Sequence, residues 1–503
     1  MNIAKNLEHS AFLFPKRPAI SIGHSTTTYA QLNEQANRVA TALLKLGVRP
    51  GDHVGICAPN SGEWLAFYFG LIKAGAAAVT MPSQLTPSEL VQLVEETHPK
   101  IIYSDESQMD VLKGLRRPDV LEKIISRGGD LEIDSLMDLG SASFKALDLD
   151  RDETAAILFT GGTTGTPKGV MLSHENINTA IYNVVFSERS RESDRSLCFL
   201  PLNHVFGQMH IMNATILSGG CLELFPTFDM DLVLEAMAAG RVTKLFAVPT
   251  IYVRLLSLKR LKERLGGVRY CFSAATSMAG EIVRQWRERT GLAIFEAYGM
   301  TESASMVTYN HYHCHVAGSV GTPVGTVETR IMDLEGNLKG TREKGEICIR
   351  GRNIMKGYLN RPEETRSVFW GDWFRSGDLG VIDEDGYLFI VDRLKDMIIT
   401  GGENVYPSEI EEVIYSVGEV EECSVIGLPD SEWGERVTAL IIPKPGRSID
   451  TLALQRYLKS RLSPFKVPKN YRIVSSFPKS PAGKILKREL KKQLLEQMGN
   501  QPR

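Results

Sequence analysis

Between the apolar run Ala155–Phe159 and Gly169, the chain reads Thr160-Gly161-Gly162-Thr163-Thr164-Gly165-Thr166-Pro167-Lys168. A segment this rich in glycine and threonine suits neither a helix interior nor a central strand. Its glycines let backbone amides close on an anion, the threonine hydroxyls add donors, and Lys168 adds charge. Placed straight after an apolar strand, it reads as a phosphate cradle rather than a surface turn. It is not a Walker loop, because the lysine lies between Pro167 and Gly169 instead of preceding Ser or Thr. Kinases and ATPases of that type are therefore disfavoured.

The chain of 503 residues exceeds what one core can hold and predicts two or more domains. Its 58 basic and 60 acidic residues leave a net charge of −2, which offers no footprint for nucleic acid or an anionic membrane. Seven cysteines, at 57, 198, 221, 271, 314, 348 and 423, have no metal or redox spacing and read as reduced, buried thiols of a cytoplasmic protein. Met1–Pro15 holds only the short apolar run Ala11–Phe14 and no cleavage pattern. The longest apolar run, Leu65–Met81, is interrupted by Gly70, Lys73 and Gly75, and predicts a buried helix followed by a buried strand rather than a bilayer span.

Leu32, Ala36, Val39 and Leu43 recur at helical spacing and stop at Gly47. Asp52–Ala58, Leu245–Val248 and Val268–Phe272 read as short buried strands. This alternation continues to about residue 330 and predicts an α/β class with largely parallel sheets. Beyond it come short strands at Thr329–Asp333, Gly345–Arg350 and Leu388–Val391, with Asp385-Gly386 as a hairpin signal. After Arg393, Ile410, Val413, Ile414 and Val417 mark a helix with Pro407 in its first turn. Val437–Ile442 reads as a strand, Leu452–Leu462 as a helix, and Lys484–Met498 as a basic amphipathic helix with a solvated face.

Further motifs follow in order: Asn203-His204-Val205-Phe206-Gly207, Tyr298-Gly299-Met300-Thr301-Glu302, Ser376-Gly377-Asp378, Asp392-Arg393-Leu394-Lys395-Asp396, Gly401-Gly402-Glu403-Asn404 and Pro481-Ala482-Gly483-Lys484. Taken with the glycine loop, this series resembles the adenylate-forming superfamily of acyl-CoA synthetases, aryl-CoA ligases, peptide-synthetase adenylation domains and luciferases. The resemblance runs from Tyr29 to Lys484; one departure is Gly161, where many relatives carry serine.

The resemblance implies a large N-terminal domain over residues 1–392, with stacked, largely parallel sheets, helices, and a β-rich subdomain at about 325–392. A hinge at 393–395 would lead to a small, mobile α+β C-terminal domain, 396–503, that carries the catalytic lysine. It also implies site residues. Thr160, Gly161, Gly162, Thr163, Thr164, Gly165, Thr166 and Lys168 would hold ATP phosphates, while Tyr298 packs on adenine and Thr301 meets the α-phosphate. Glu302 would hold Mg²⁺, and Asp378 the ribose hydroxyls, with Arg393 beside it. Ser273, Ala274, Ala275, Glu296, Ala297, Gly299 and Met300 would complete the nucleotide site. Lys484 would bridge the substrate carboxylate and the α-phosphate. Lys395 would be the pivot, and Gly401, Gly402 and Glu403 would border the channel for coenzyme A.

The acyl pocket would be gated by His204 and lined by Val205, Phe206, Ala247, Val248, Ala274, Gly299 and Met306. Gly299, where acetate-activating relatives carry tryptophan, implies an acid larger than acetate. A medium- or long-chain fatty acid is the first expectation and an aromatic acid the second. The expected reaction is ATP-dependent acyl-AMP formation followed by thioesterification of coenzyme A. Alternatives are transfer to a carrier-protein thiol or an amine, a luciferase-like oxygenation, or a degenerate nucleotide-binding protein. The expected partners are a small carboxylic acid and coenzyme A, without nucleic acid or integral membrane association; the oligomeric state is left open, a homodimer being one option.

Overall fold

The computed structural model describes residues 1–117, 119–160, 167–274, 278, 280–479 and 485–499. Helix starts are set by local chemistry. Thr28 with Gln31, Thr86 with Glu89, and Ser173 with Asn176 form reciprocal capping boxes, each satisfying backbone donors left open at a helix start. The heptad-like run predicted from Leu32 becomes helix Tyr29–Lys45, and the broken apolar run becomes helix Gly62–Lys73 followed by strand Ala77–Thr80. Lys73, the charge inside that run, is fully buried. It bonds Glu8 at 2.6 Å and Asn37 at 2.8 Å, which is how a helix buried on all sides tolerates an ammonium.

Two large sheets form the N-terminal domain. One has seven strands centred on His53–Cys57, Ala77–Thr80 and Thr154–Thr160, which run parallel. The other has nine, with Cys221–Leu224, Arg195–Cys198, Lys244–Ala247, Tyr270–Ser273 and Ile294–Met300 parallel in that spatial order. Antiparallel strands finish the edges of both, Ser305–Tyr309 among them. The β-rich segment is an antiparallel sheet of Glu328–Met332, Gly345–Arg350, Phe369–Trp370, Trp373–Ile382 and Leu388–Arg393. Its last hairpin turns at Gly386, where φ is +84°, so the Asp-Gly signal marks the turn as expected.

A smaller C-terminal domain has five strands around Val420–Asp430 and Gly434–Pro443, with helices Pro407–Tyr415 and Thr451–Lys459. It has its own core, including Ile410, Ile414, Val425, Val437 and Leu458. The terminal helix is Lys487–Gly499, three residues shorter at its start than predicted. Its basic face is not simply solvated: Leu490 and Leu494 are buried with Ile426, Leu428 and Leu440, while Lys487 pairs with Glu411 and Lys491 with Glu435, both at 2.8 Å.

Six cysteines are buried as expected, but Cys314 is exposed, because it lies in the turn after strand Ser305–Tyr309. Among the described residues, no helix is long and apolar enough to cross a membrane, and no three His, Cys, Asp or Glu side chains are grouped as a metal site.

Candidate active site

The carboxyl ends of the parallel strands in the nine-stranded sheet open toward the β-rich segment, the usual place for a ligand in an α/β fold. Strand Ile294–Met300 ends there and turns through Thr301–Ser303 into Ser305–Tyr309. The Ser303 hydroxyl accepts from the Met300 amide at 3.0 Å and donates to the Ser305 carbonyl at 2.9 Å. Ala304 and Ser305 both take positive φ, +53° and +126°, a strained pair held in place beside the motif.

Gly299 also has a backbone reason. A Cβ there would lie 1.7 Å from the Ser305 carbonyl oxygen, so the close crossing of strand and turn in this chain leaves no space for a side chain.

A strand end and a distant hairpin meet at Asp378. The Tyr298 hydroxyl donates to one carboxylate oxygen at 2.8 Å, and Arg393 Nε lies 3.3 Å from the other. Asp378 and Arg393 are cross-strand neighbours, and the strand carrying Asp378 bulges between Arg375 and Leu379. Gly377 takes φ +71° in that bulge and donates its amide to Glu346 at 3.0 Å. The Asp378 amide in turn donates to the Ser376 hydroxyl at 3.1 Å. The Ser-Gly-Asp motif is therefore a backbone device that re-aims one carboxylate.

Glu302 sits next to this trio. Its carboxyl accepts from the Tyr358 hydroxyl at 2.9 Å, and burial raises its pKa above the ordinary value. A desolvated carboxylate with one neutral donor fits a magnesium ion that completes its shell with phosphate and water oxygens. Thr301 precedes it and is buried.

Thr160 and Lys168 face each other across an antiparallel pair, so the glycine loop joins two paired strands. The Lys168 ammonium pairs with Glu364 and lies 4.9 Å above the Tyr358 ring. Its charge is thus shared with a carboxylate rather than wholly available to phosphate. Residues 161–166, Ala275 and Lys484 lie outside the described residues.

Two further polar atoms near this end have no partner among the described residues. Ser273 and Glu296 are register neighbours on adjacent strands, and Ser273 Oγ and Glu296 Oε2 are both buried without a hydrogen bond. Burial pushes the Glu296 carboxyl up to about 8. Ala274, Ala297 and Met300 lie beside them, partly exposed.

His204 Nδ1 accepts from the Phe206 amide at 3.2 Å, and Val205, Phe206, Ala247, Val248 and Met306 are buried around it. The chain then winds through a wide π-type helix, Phe206–Asn213, a geometry often found at functional sites. Its second turn carries His210, which the sequence reading missed. His210 Nε2 bonds Glu188 at 2.7 Å and Nδ1 faces the Ser305 hydroxyl at 3.1 Å. The overlooked signal was His210 four residues after Phe206, together with Lys244 opening an apolar strand.

At the junction of domains, the Ser408 amide donates to Asp392 at 2.9 Å, and Lys344 bonds Glu409 at 2.9 Å. Lys395 is exposed overall, yet desolvation, ahead of the Arg393 charge, lowers its ammonium pKa; the charges of Asp396, Asp378 and Arg488 also reach it. Lys487 feels Asp392 and Asp396 as well as Glu411. The start of the terminal helix therefore lies against the hinge. Gly401, Gly402 and Glu403 form an exposed hairpin tip, with φ +59° and +83° at the two glycines.

The sequence pattern of AMP-binding enzymes matches residues 7–359, and that of the AMP-binding enzyme C-terminal domain matches residues 409–484. The chain belongs to this family of AMP-binding, adenylate-forming enzymes. It is 35% identical over 486 residues to a feruloyl-CoA synthase of Amycolatopsis sp, covering 96% of this chain and 97% of the relative. It is 32% identical to a long-chain-fatty-acid–CoA ligase of Bacillus subtilis (strain 168), covering 96% and 93%. ATP-bound MatB from Rhodopseudomonas palustris superposes with a TM-score of 0.91 at 36% identity, over 98% of this chain and 99% of that one. Apo MatB gives 0.79 at 35% identity, over 99% of each. Membership makes the chain an acid–thiol ligase that works with ATP, Mg²⁺ and coenzyme A.

Proposed function

We propose that this ligase activates an apolar carboxylic acid, fatty or aromatic, as its acyl-adenylate and then transfers the acyl group to the thiol of coenzyme A. The observation that carries the reading is the meeting of Tyr298 and Glu302 with Asp378 and Arg393, four side chains from a strand end and a hairpin some eighty residues apart. Glu302, Asp378 and Arg393 are charged groups that packing does not call for, and with the Tyr298 ring they match what a base, a ribose, a phosphate and a metal need.

A carboxylate resists attack by a thiolate because the charges repel and no leaving group is present. In-line attack of its oxygen on the α-phosphorus of ATP forms a C–O–P anhydride and expels pyrophosphate, so AMP becomes the leaving group. The protein's part is position and charge. Asp378 accepts the ribose hydroxyls, with the Tyr298 ring against the base. Thr301 donates to the α-phosphate, and residues 160–166 cradle the outer phosphates. Glu302 would hold Mg²⁺, which would supply neutralisation of phosphate charge. Lys484 stabilises the charge that builds between carboxylate and α-phosphate.

The domain boundary at 393–395 supplies the second step in this reading. With the terminal helix against the hinge and Gly401–Gly402 exposed, the arrangement suits adenylation. The better superposition on ATP-bound than on apo MatB supports that assignment. Rotation about Lys395 would withdraw Lys484 and bring Gly401–Gly402 toward the pantetheine arm.

The test is exchange of labelled pyrophosphate into ATP across fatty and aromatic acids, followed by addition of coenzyme A. Acid-dependent exchange and thioester formation are expected. Exchange without thioester, but with amide when an amine is added, would redirect the second step; no exchange with any acid would overturn the reading.

A further inference from the structure

Strands Lys244–Ala247 and Tyr270–Ser273 run parallel in register, Lys244 beside Tyr270 and Phe246 beside Phe272. Alternate residues of a strand share a face, so these four side chains form two successive layers on one side of the sheet. The ring distances agree: Phe246 to Phe272 is 5.9 Å, Phe246 to Tyr270 is 6.0 Å, and the Lys244 ammonium is 5.1 Å from the Tyr270 centroid. Just past the carboxyl ends of these strands come Val248, which is buried, and Ala274, which is partly exposed. Same-face steps along a strand are roughly 6.6 Å apart.

The π-type helix lies over this face. Phe206 is 6.4 Å from Phe246 and 5.7 Å from Phe272, and His210 is 5.8 Å and 4.4 Å from the same rings. All four are buried, so the second layer is filled by aromatic rings. Behind it stands a charged layer. Lys244 is 2.9 Å from Glu188, 2.7 Å from Ser190 and 3.6 Å from Asp194, and Arg269 pairs with Asp194. Burial pushes the Glu188 carboxyl up, but Lys244 and His210 outweigh it and leave it below its ordinary value. His210, bonded to Glu188 behind and Ser305 in front, ties the ring layer to the charged layer and to the strained turn after Glu302.

We infer that this ring layer, backed by the Lys244–Glu188–Asp194 pairs, is the floor of the acyl pocket, and that the enzyme takes compact, ring-sized acids and rejects long-chain fatty acids. An alkyl tail continuing past Val248 and Ala274 would have to displace Phe206, Phe272 and His210, then enter a layer of paired charges. Moving those rings strips contacts, and an alkyl chain offers nothing to the charges it would part. A flat ring needs only the space above the floor. His210 is then a specificity-determining residue, and Glu188 positions it.

This inference rests on the acyl-ligase reading above and is tested separately from it. Pyrophosphate exchange by the full chain is measured with benzoate, 4-hydroxycinnamate, hexanoate and palmitate. The expected result is kcat/KM for the best aromatic acid at least about tenfold above that for palmitate, as pocket contacts of a methylene or more discriminate. Palmitate matching or exceeding every aromatic acid overturns the floor while leaving the ligase reading intact; no exchange with any acid overturns both. Phe206→Ala and His210→Ala extend the test: each lowers the KM for hexanoate or palmitate relative to that for benzoate. If either variant folds and leaves this ratio unchanged, that residue is not part of the floor.

Discussion

On the nucleotide side of the site, Tyr298, Asp378 and Arg393 each sit in a short motif and touch one another through two contacts. On the side proposed for the acyl group, Glu188, Asp194, His210 and Lys244 come from four places in the chain, none in a motif, and converge within one buried network that the exposed Arg269 joins through Asp194. The nucleotide side depends on backbone devices, a bulge at Gly377 and a close crossing at Gly299, that constrain residue identity locally. The acyl side depends on sheet register, which sets lysine beside tyrosine and phenylalanine beside phenylalanine without any local signature. Chemistry shared by all acids can be written in motifs, whereas selectivity is written in packing.

Substitutions separate the two sides, the most damaging first. Glu188→Ala would leave Lys244 with Ser190 at 2.7 Å and Asp194 at 3.6 Å, and His210 with Ser305 alone. Breaking a buried pair costs about 3–5 kcal/mol, here toward the lower end, read from the urea midpoint. A loss below about 1 kcal/mol, the range of exposed pairs, would mean that the acyl-side charges are effectively solvated.

Glu302→Gln should keep the fold, since glutamine can still accept from Tyr358, yet lower pyrophosphate exchange by roughly 10²–10³. An unchanged rate across magnesium concentrations would remove Glu302 from the metal site. Asp378→Ala removes the charged acceptor of the Tyr298 hydroxyl, a loss of about 1.5–3 kcal/mol. It should appear as a higher KM for ATP while the KM for the acid holds. A matching rise in both would blur the division between the two sides.

The one effect set by pH concerns Glu296, whose folded pKa of about 8 exceeds the ordinary 4.5. Below pH 4.5 both folded and unfolded chains hold the proton, and the group costs nothing. As pH rises from 4.5 toward 8 the unfolded chain releases its proton first, so stability falls through this window. Glu296→Gln removes that dependence. Its advantage in Tm over the parent should grow from pH 5 to pH 8, by on the order of 1 °C for each kcal/mol in a domain of this size. An advantage independent of pH would show that Glu296 is ionised in the folded chain.

Much of the frame was legible because it rests on local rules. Helix Tyr29–Lys45 followed from its apolar spacing, and helix Pro407–Tyr415 from proline at its first turn. The antiparallel hairpin of Trp373–Ile382 and Leu388–Arg393 followed from the Asp385-Gly386 signal. The motifs also named the residues that meet at Asp378. What escaped depends on contacts across the chain. The reason for Gly299 lies in the Ser305 carbonyl, and the exposure of Cys314 lies in where a hairpin edge falls. The buried role of Lys244 could not be read from a charge that looked like a strand boundary, and the pairings of Lys487 and Lys491 could not be read from helix periodicity.

The central claim is that one lysine near the tail serves the first half-reaction and leaves before the second. Lys484→Ala is measured in both: pyrophosphate exchange with acid and ATP, and thioester formation from supplied acyl-adenylate and coenzyme A. The account predicts a loss of roughly 10² or more in exchange and little change in thioester formation. Equal losses in the two would contradict it.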